Sequence, residues 1–200
     1  MMPYASELMV SGDLGRVESE LSEGVRGCPG CGGRLARWGR ARARTVRAGG
    51  DEVRVQPRRA RCVACGVTHV LLPDGLLWRR RDRAEVIGAA LVAHAGGAGH
   101  RTIAAALGVP AATVRGWLRR FRARAAVIAS FFARWALVLA PGSDPPVPTA
   151  SAVGDAVEAV GVATRAAVVR FGPGPVWVMA ARLCGGGLLA NTSCLWLAPR

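Results

Sequence analysis

Cys28-Pro29-Gly30-Cys31-Gly32-Gly33 and Cys62-Val63-Ala64-Cys65-Gly66 are two copies of one device, with thirty residues between Cys31 and Cys62. Two intervening residues let a pair of thiolates grip one cation from a tight turn. The glycines that follow tolerate the unusual backbone angles such a turn needs. Four thiolates at tetrahedral positions suit zinc at about 2.3 Å. A redox dithiol is the alternative, but it uses one Cys-x-x-Cys at a helix start rather than two flanking strands. The residues between the pairs read as strands. Ala41 to Arg47 alternates small apolar residues with Arg, Val53, Val55 and Ala60 alternate with polar neighbours, and Thr68 to Leu72 closes the set. Gly49-Gly50-Asp51 reads as the hairpin turn between two of them. The expectation is a zinc ribbon over residues 26–76 holding one structural Zn2+ on Cys28, Cys31, Cys62 and Cys65. A closed four-cysteine site leaves no open position for catalysis. His69 could serve as a substitute ligand, but its favoured reading is a surface residue of the closing strand.

Charge points to the partner. The chain has 200 residues, a mass of 20.9 kDa, a formal net charge of +14 and a pI near 11.5. All 27 basic residues are Arg, so part of the excess reflects codon bias. The remainder still implies a polyanion. Residues 1–25 carry −4, residues 26–135 carry +17 and residues 136–200 carry +1. The first 25 residues therefore read as an acidic, flexible leader. No signal peptide is evident and no run of 18 uncharged apolar residues occurs, so the expected location is cytoplasmic, with no membrane partner.

Residues 79–122 read as a helix-turn-helix DNA-binding domain. A first helix starts at Asp82, with Val86, Ile87, Ala90, Leu91 and Ala93 on one face, and ends at the glycines of 96–99. The stretch from Arg101 to Leu118 then has the required spacing. Ala104 is small where two helices cross, Gly108 can take a positive φ, and Val109 caps the core. Pro110 starts the next helix, where no donor is needed. Val114, Trp117 and Leu118 face inward toward Ile103 and Leu107. Ala111, Ala112, Thr113, Arg115, Gly116 and Arg119 face outward into a major groove. Arg115 is the candidate reader of a guanine edge and Ala112 of a thymine methyl. Thr102 and Thr113 lie at the same interface. Arg101, Arg119, Arg120 and Arg122 contact phosphate, and the run Arg79, Arg80, Arg81 and Arg83 adds charge nearby.

Taken together, the Cys28-Pro-Gly-Cys-Gly knuckle, Arg61-Cys62-Val-Ala-Cys65-Gly with Thr68-His69-Val70-Leu71-Leu72-Pro73, and the helix-turn-helix resemble the N-terminal region of several insertion-sequence transposases. They also resemble short actinobacterial-type proteins of unknown function that carry that region alone. The resemblance spans residues 26–122. In the transposases this region binds the element's terminal repeats, and a ribonuclease-H-type catalytic domain with three carboxylates follows. Here 79 residues follow Phe121, with only Asp144, Asp155 and Glu158 as acids. Two-metal chemistry needs carboxylates converging from separate strands, so the expectation is a non-enzymatic protein.

Beyond Phe121 the apolar spacing continues through Ala125, Ile128, Phe132, Trp135 and Leu139. It predicts one helix of about 28 residues running to Pro141, of which residues 123–140 are a helix extension. Residues 141–149 form a Pro-rich linker, and residues 150–200 form a C-terminal helical segment with a helix from Ser151 to Arg170. Val153, Val157, Val160 and Val168 give that helix an apolar face. The two helices are expected to pack on each other; the sharper alternative is a homodimer interface around Ala125–Leu139. Gly185-Gly186-Gly187 lacks the lysine and the spacing of a phosphate loop. Cys184 and Cys194 read as small apolar residues.

The fold class expected is therefore mostly α with a small β zinc ribbon, followed by a helix-turn-helix and a helical C-terminal extension. The function expected is double-stranded DNA binding, as a transcription regulator or transposase-derived binder. The alternative is an accessory or truncated subunit of a transposition or recombination system whose catalytic domain lies on another chain. RNA binding through the ribbon is weakened by the helix-turn-helix, which does not suit the narrow RNA major groove. Nothing in the sequence supports a small-molecule substrate.

Overall fold

A computed structural model describes residues 7–190. Each cysteine knuckle sits beside a strand end. Strand β2 (Leu35–Arg40) pairs antiparallel with β5 (Arg58–Cys62), and Leu35 lies opposite Cys62, so pairing brings the two knuckles together. Strand β6 (Thr68–Pro73) pairs antiparallel on the other edge of β5. The register of β2 and β5 shifts between Arg37 and Gly39, leaving Trp38 as the extra residue of a bulge, with Gly39 at φ 105°. A second, two-stranded sheet is the hairpin β3 (Arg44–Ala48) and β4 (Asp51–Val55), whose turn glycines 49 and 50 both have positive φ (66° and 104°). That is the conformation a two-residue hairpin turn demands.

The acidic start is not a flexible leader where it is described. Strand β1 (Glu7–Val10) adds parallel to β6, giving the order β1-β6-β5-β2. Helix α1 (Leu14–Glu23) follows, capped by Asp13, whose Oδ1 accepts from the Gly15 amide at 2.8 Å. Val17 and Leu21 are buried with Leu35, Ala60 and Leu71. Glu18 pairs with Arg58 and, at 3.0 Å, with Arg37, while Glu20 accepts from Arg26 at 2.7 Å. Glu18 and Glu20 are thus counter-charges to Arg26, Arg37 and Arg58. Composition alone hides this because the partners lie far along the chain.

The remaining elements are helical: α2 (Ala84–Ala95), α3 (His100–Leu107), α4 (Ala111–Arg122), α5 (Ala125–Leu139), α6 (Ala152–Phe171) and α7 (Val176–Leu183). The described residues thus form a mixed α/β fold of seven helices and two small sheets. One apolar core runs through all six later helices, with Ile87, Leu91, Val114, Phe121, Ile128, Phe132 and Val160 among its members.

The helix expected to run unbroken to Pro141 is divided. Arg124 leaves the helical region (φ −127°, ψ 10°), and its Nη1 donates to the Ala190 carbonyl at 2.7 Å. The break redirects α5, so that Phe121 and the Ile128/Phe132 stripe enter the same core. Helix α5 packs along α6, whose buried face (Ala156, Ala159, Val160, Ala163) is small enough for close approach. The stripe considered for a homodimer is thereby covered within the chain on its Ile128, Phe132 and Ala136 face.

Helix α7 folds back onto α2, and Trp177 lies over Gly88. Cys184 is buried, and burial pushes its thiol up to about 12, so it behaves as a small apolar residue. Asn191, Thr192, Ser193 and Cys194 lie outside the described residues. No helix among the described residues is long and apolar enough to cross a membrane.

Candidate metal centre and nucleic-acid interface

The four knuckle sulfurs all lie within 4.8 Å of one another. Cys28 Sγ is 3.8 Å from Cys65 Sγ, and Cys31 Sγ is 3.4 Å from Cys62 Sγ. A cation bonded to four sulfurs at about 2.3 Å needs them about 3.8 Å apart, so the donor set fits a tetrahedral metal. Cys28 and Cys62 are buried, whereas Cys31 and Cys65 face solvent. The backbone amide of Cys65, 3.5 Å from Cys62 Sγ, holds that thiol down to about 6. The Gly33 amide pulls Cys31 the same way, but the crowding thiols of Cys62, Cys65 and Cys28 outweigh it and push Cys31 up to about 12. Thiols packed this closely share protons that a metal ion would displace.

His69 departs from the sequence expectation. It is 2% exposed, not a surface residue, and its Nε2 lies 3.4 Å from Cys28 Sγ. The signal was available: on a strand, alternate residues share a face, and Leu71, two residues on, is buried. His69 therefore sits behind the cysteine cluster, with its Nε2 in hydrogen-bonding contact with Cys28 Sγ.

The second candidate surface is α4. Its buried side is Val114, Trp117, Leu118 and Phe121. Its exposed side is the stripe Ala112, Arg115, Arg119 and Arg122, at the spacing of one helix face. Thr113 is half-buried, and Arg120 leans back along the helix, its Nη1 donating to the Gly116 carbonyl at 3.0 Å. The connection from α3 is Gly108-Val109-Pro110. Gly108 sits in the left-handed region at φ 61°, and Val109 is buried beside Ile103 and Ala104.

Arg101 and Thr102 are exposed on the first turn of α3. The structure adds two residues that carried no role in the sequence. His94 and His100 line a cleft of about 650 Å³ with Arg115, Arg119 and Arg122. Among the described residues no carboxylate pairs with these three arginines.

A third feature lies on the ribbon. Trp38, carried out by the bulge, is 51% exposed, and the Arg61 guanidinium stands 4.7 Å from its ring centroid. The contact is a cation–π pair beside the second knuckle.

Residues 28–117 match a family described as a domain of unknown function (DUF6431). The match begins at the first cysteine of the cluster and ends at Trp117 inside α4, so it takes in the thiol cluster, α2, α3 and the first half of α4. No curated protein matches the chain. No solved structure matches it.

Proposed function

We propose that this chain is a non-enzymatic, double-stranded-DNA-binding protein in which α3 and α4 act as a helix-turn-helix and a single Zn2+ stabilises the ribbon. The observation that carries the reading is the stripe Ala112–Arg115–Arg119–Arg122. It is exposed along one side of a helix whose other side is committed to the core, and among the described residues no acid pairs with its arginines. A helix anchored in this way can enter a major groove without unfolding anything behind it. Arg115, nearer the helix start, reads a guanine edge beside Ala112. Arg119 and Arg122, with Arg101 and Thr102 on α3, bind phosphate. The zinc reading is supported by the donor set: four cysteine sulfurs within 4.8 Å of one another are the ligands a structural zinc ion takes. We infer a cytoplasmic site of action, where thiols stay reduced for metal, as a regulator or a transposase-derived DNA binder.

The test is selection of random duplexes by the zinc-loaded protein, followed by salt titration of the winners beside scrambled duplex and RNA. The reading requires a defined motif bound at least about a thousandfold more tightly than scrambled duplex. Arg115→Ala then costs about 1–3 kcal/mol and relaxes one base position. Equal binding to every polyanion, collapsing with salt, would refute specific recognition.

A further inference from the structure

The hairpin β3–β4 carries a feature that recognition by α4 does not use. On β3, Val46 is fully buried and sets the inward face of the strand. Arg44 is two residues away and therefore shares that face. Its Nε and Nη2 are buried, and neither has a hydrogen-bond partner among the described residues. Arg42 and Arg81 line the same cavity, of about 400 Å³, together with Ala43 and Thr45.

Arg81 is fixed there by the backbone. The Arg47 amide donates to the Arg81 carbonyl at 2.6 Å and the Arg83 amide to the Arg47 carbonyl at 3.0 Å, so residues 81–83 run alongside β3. Asp82, next to Arg81 in the chain, is already committed: both its oxygens accept from Arg47, at 2.7 and 3.0 Å. Three arginines thus line one cavity, and no carboxylate is among its lining residues. A buried guanidinium with unmade hydrogen bonds is costly unless an anion completes it. The forked donors of Arg match the oxygens of a phosphate group.

We propose that Arg42, Arg44 and Arg81 form a phosphate-binding pocket. Its ligand is a phosphate group, supplied by a nucleic-acid backbone or by free phosphate. The backbone source rests on the DNA-binding reading above; the pocket itself does not.

The zinc-loaded full-length protein is melted in sodium phosphate and in sodium chloride at matched ionic strength. At tenfold its dissociation constant, phosphate raises Tm by about 3–6 °C over chloride. Arg44→Met abolishes this rise and melts in chloride no lower than the unsubstituted protein, because an apolar side chain of similar length removes two buried nitrogens that lack partners. Arg81→Ala, on the exposed rim, weakens the rise without touching the inward face, and serves should Arg44→Met fail to fold.

In the second arm, duplex binding is titrated with salt. A slope reduced by about one in Arg44→Met, with base preference unchanged, assigns the pocket to a backbone phosphate. A lost phosphate effect with an unchanged slope assigns it to free phosphate. No rise over chloride in the unsubstituted protein, or a full rise retained in both variants, overturns the proposal. The melting arm needs no DNA, so failure of the pocket and failure of the DNA-binding reading are read separately.

Discussion

Replacing Gly88 by alanine sets two known effects against each other. Gly88 lies inside α2, where intrinsic helix propensity favours alanine over glycine by about 1 kcal/mol. A Cβ built there, however, falls 2.1 Å from Cγ and Cδ2 of Trp177 and 2.2 Å from Cδ1. Carbon atoms in contact stand about 3.5–4.0 Å apart, so the indole must retreat by well over an ångström. It cannot do so freely, because α7 is held to the body of the protein by contacts with both α2 and α6.

Forced insertion into a packed site costs about 1–3 kcal/mol and sometimes more. Subtracting the propensity gain leaves a net loss of up to about 2 kcal/mol, or a Tm lower by up to about 8 °C for a chain of this size. Urea unfolding of the zinc-loaded protein measures it. The decisive control is Trp177→Ala, which removes the obstructing ring. In that background Gly88→Ala should become stabilising, by up to about 1 kcal/mol. A stabilising Gly88→Ala in the unsubstituted protein would refute the contact. So would an equal loss in both backgrounds, since the cost would then have nothing to do with the indole.

Other expectations are as direct. Chelation of the metal, or Cys62→Ser, should abolish the ribbon's strand signal in far-UV circular dichroism while most helical signal persists, and elemental analysis of the intact protein should give one zinc per chain. The Arg58 guanidinium hydrogen-bonded to Glu18 holds that carboxyl below its ordinary 4.5. Its folded value is thus below its unfolded one, and its stabilisation is complete above about pH 4.5 and lost as pH falls through the folded value. Urea midpoints of Glu18→Gln and the unsubstituted protein should therefore differ at pH 6–7 and converge in acid. Asp82→Asn should cost about 1.5–3 kcal/mol, because the Asp82 side chain is 3% exposed and accepts two bonds from Arg47. Hydrogen exchange should show the Arg47 and Arg83 amides opening first.

What could be read from the sequence follows from how local each signal is. The thiol cluster was legible because a Cys-x-x-Cys knuckle is complete within four residues, and pairing Leu35 with Cys62 merely brings two finished halves together. The buried face of α4 was legible for the same reason, since Val114, Trp117, Leu118 and Phe121 repeat within one helix. Longer-range features escaped. The 3–4 spacing survived the turn at Arg124, so apolar periodicity could not reveal that α4 and α5 are two helices. Gly88 signals its partner only by lacking a side chain.

Net charge misled in a more instructive way, because it sums arginines in different situations. Arg58, Arg37 and Arg26 are matched to Glu18 and Glu20 of the acidic start, and Arg47 is matched to Asp82. Those charges are consumed by folding and are not offered to a partner. Arg115, Arg119 and Arg122 on α4, and Arg42, Arg44 and Arg81 at the hairpin, have no such acid among the described residues. An uncompensated arginine set beside compensated ones in the same chain is better evidence for a polyanion than the total of +14, because codon bias can raise the count of arginines but cannot decide which of them go unpaired.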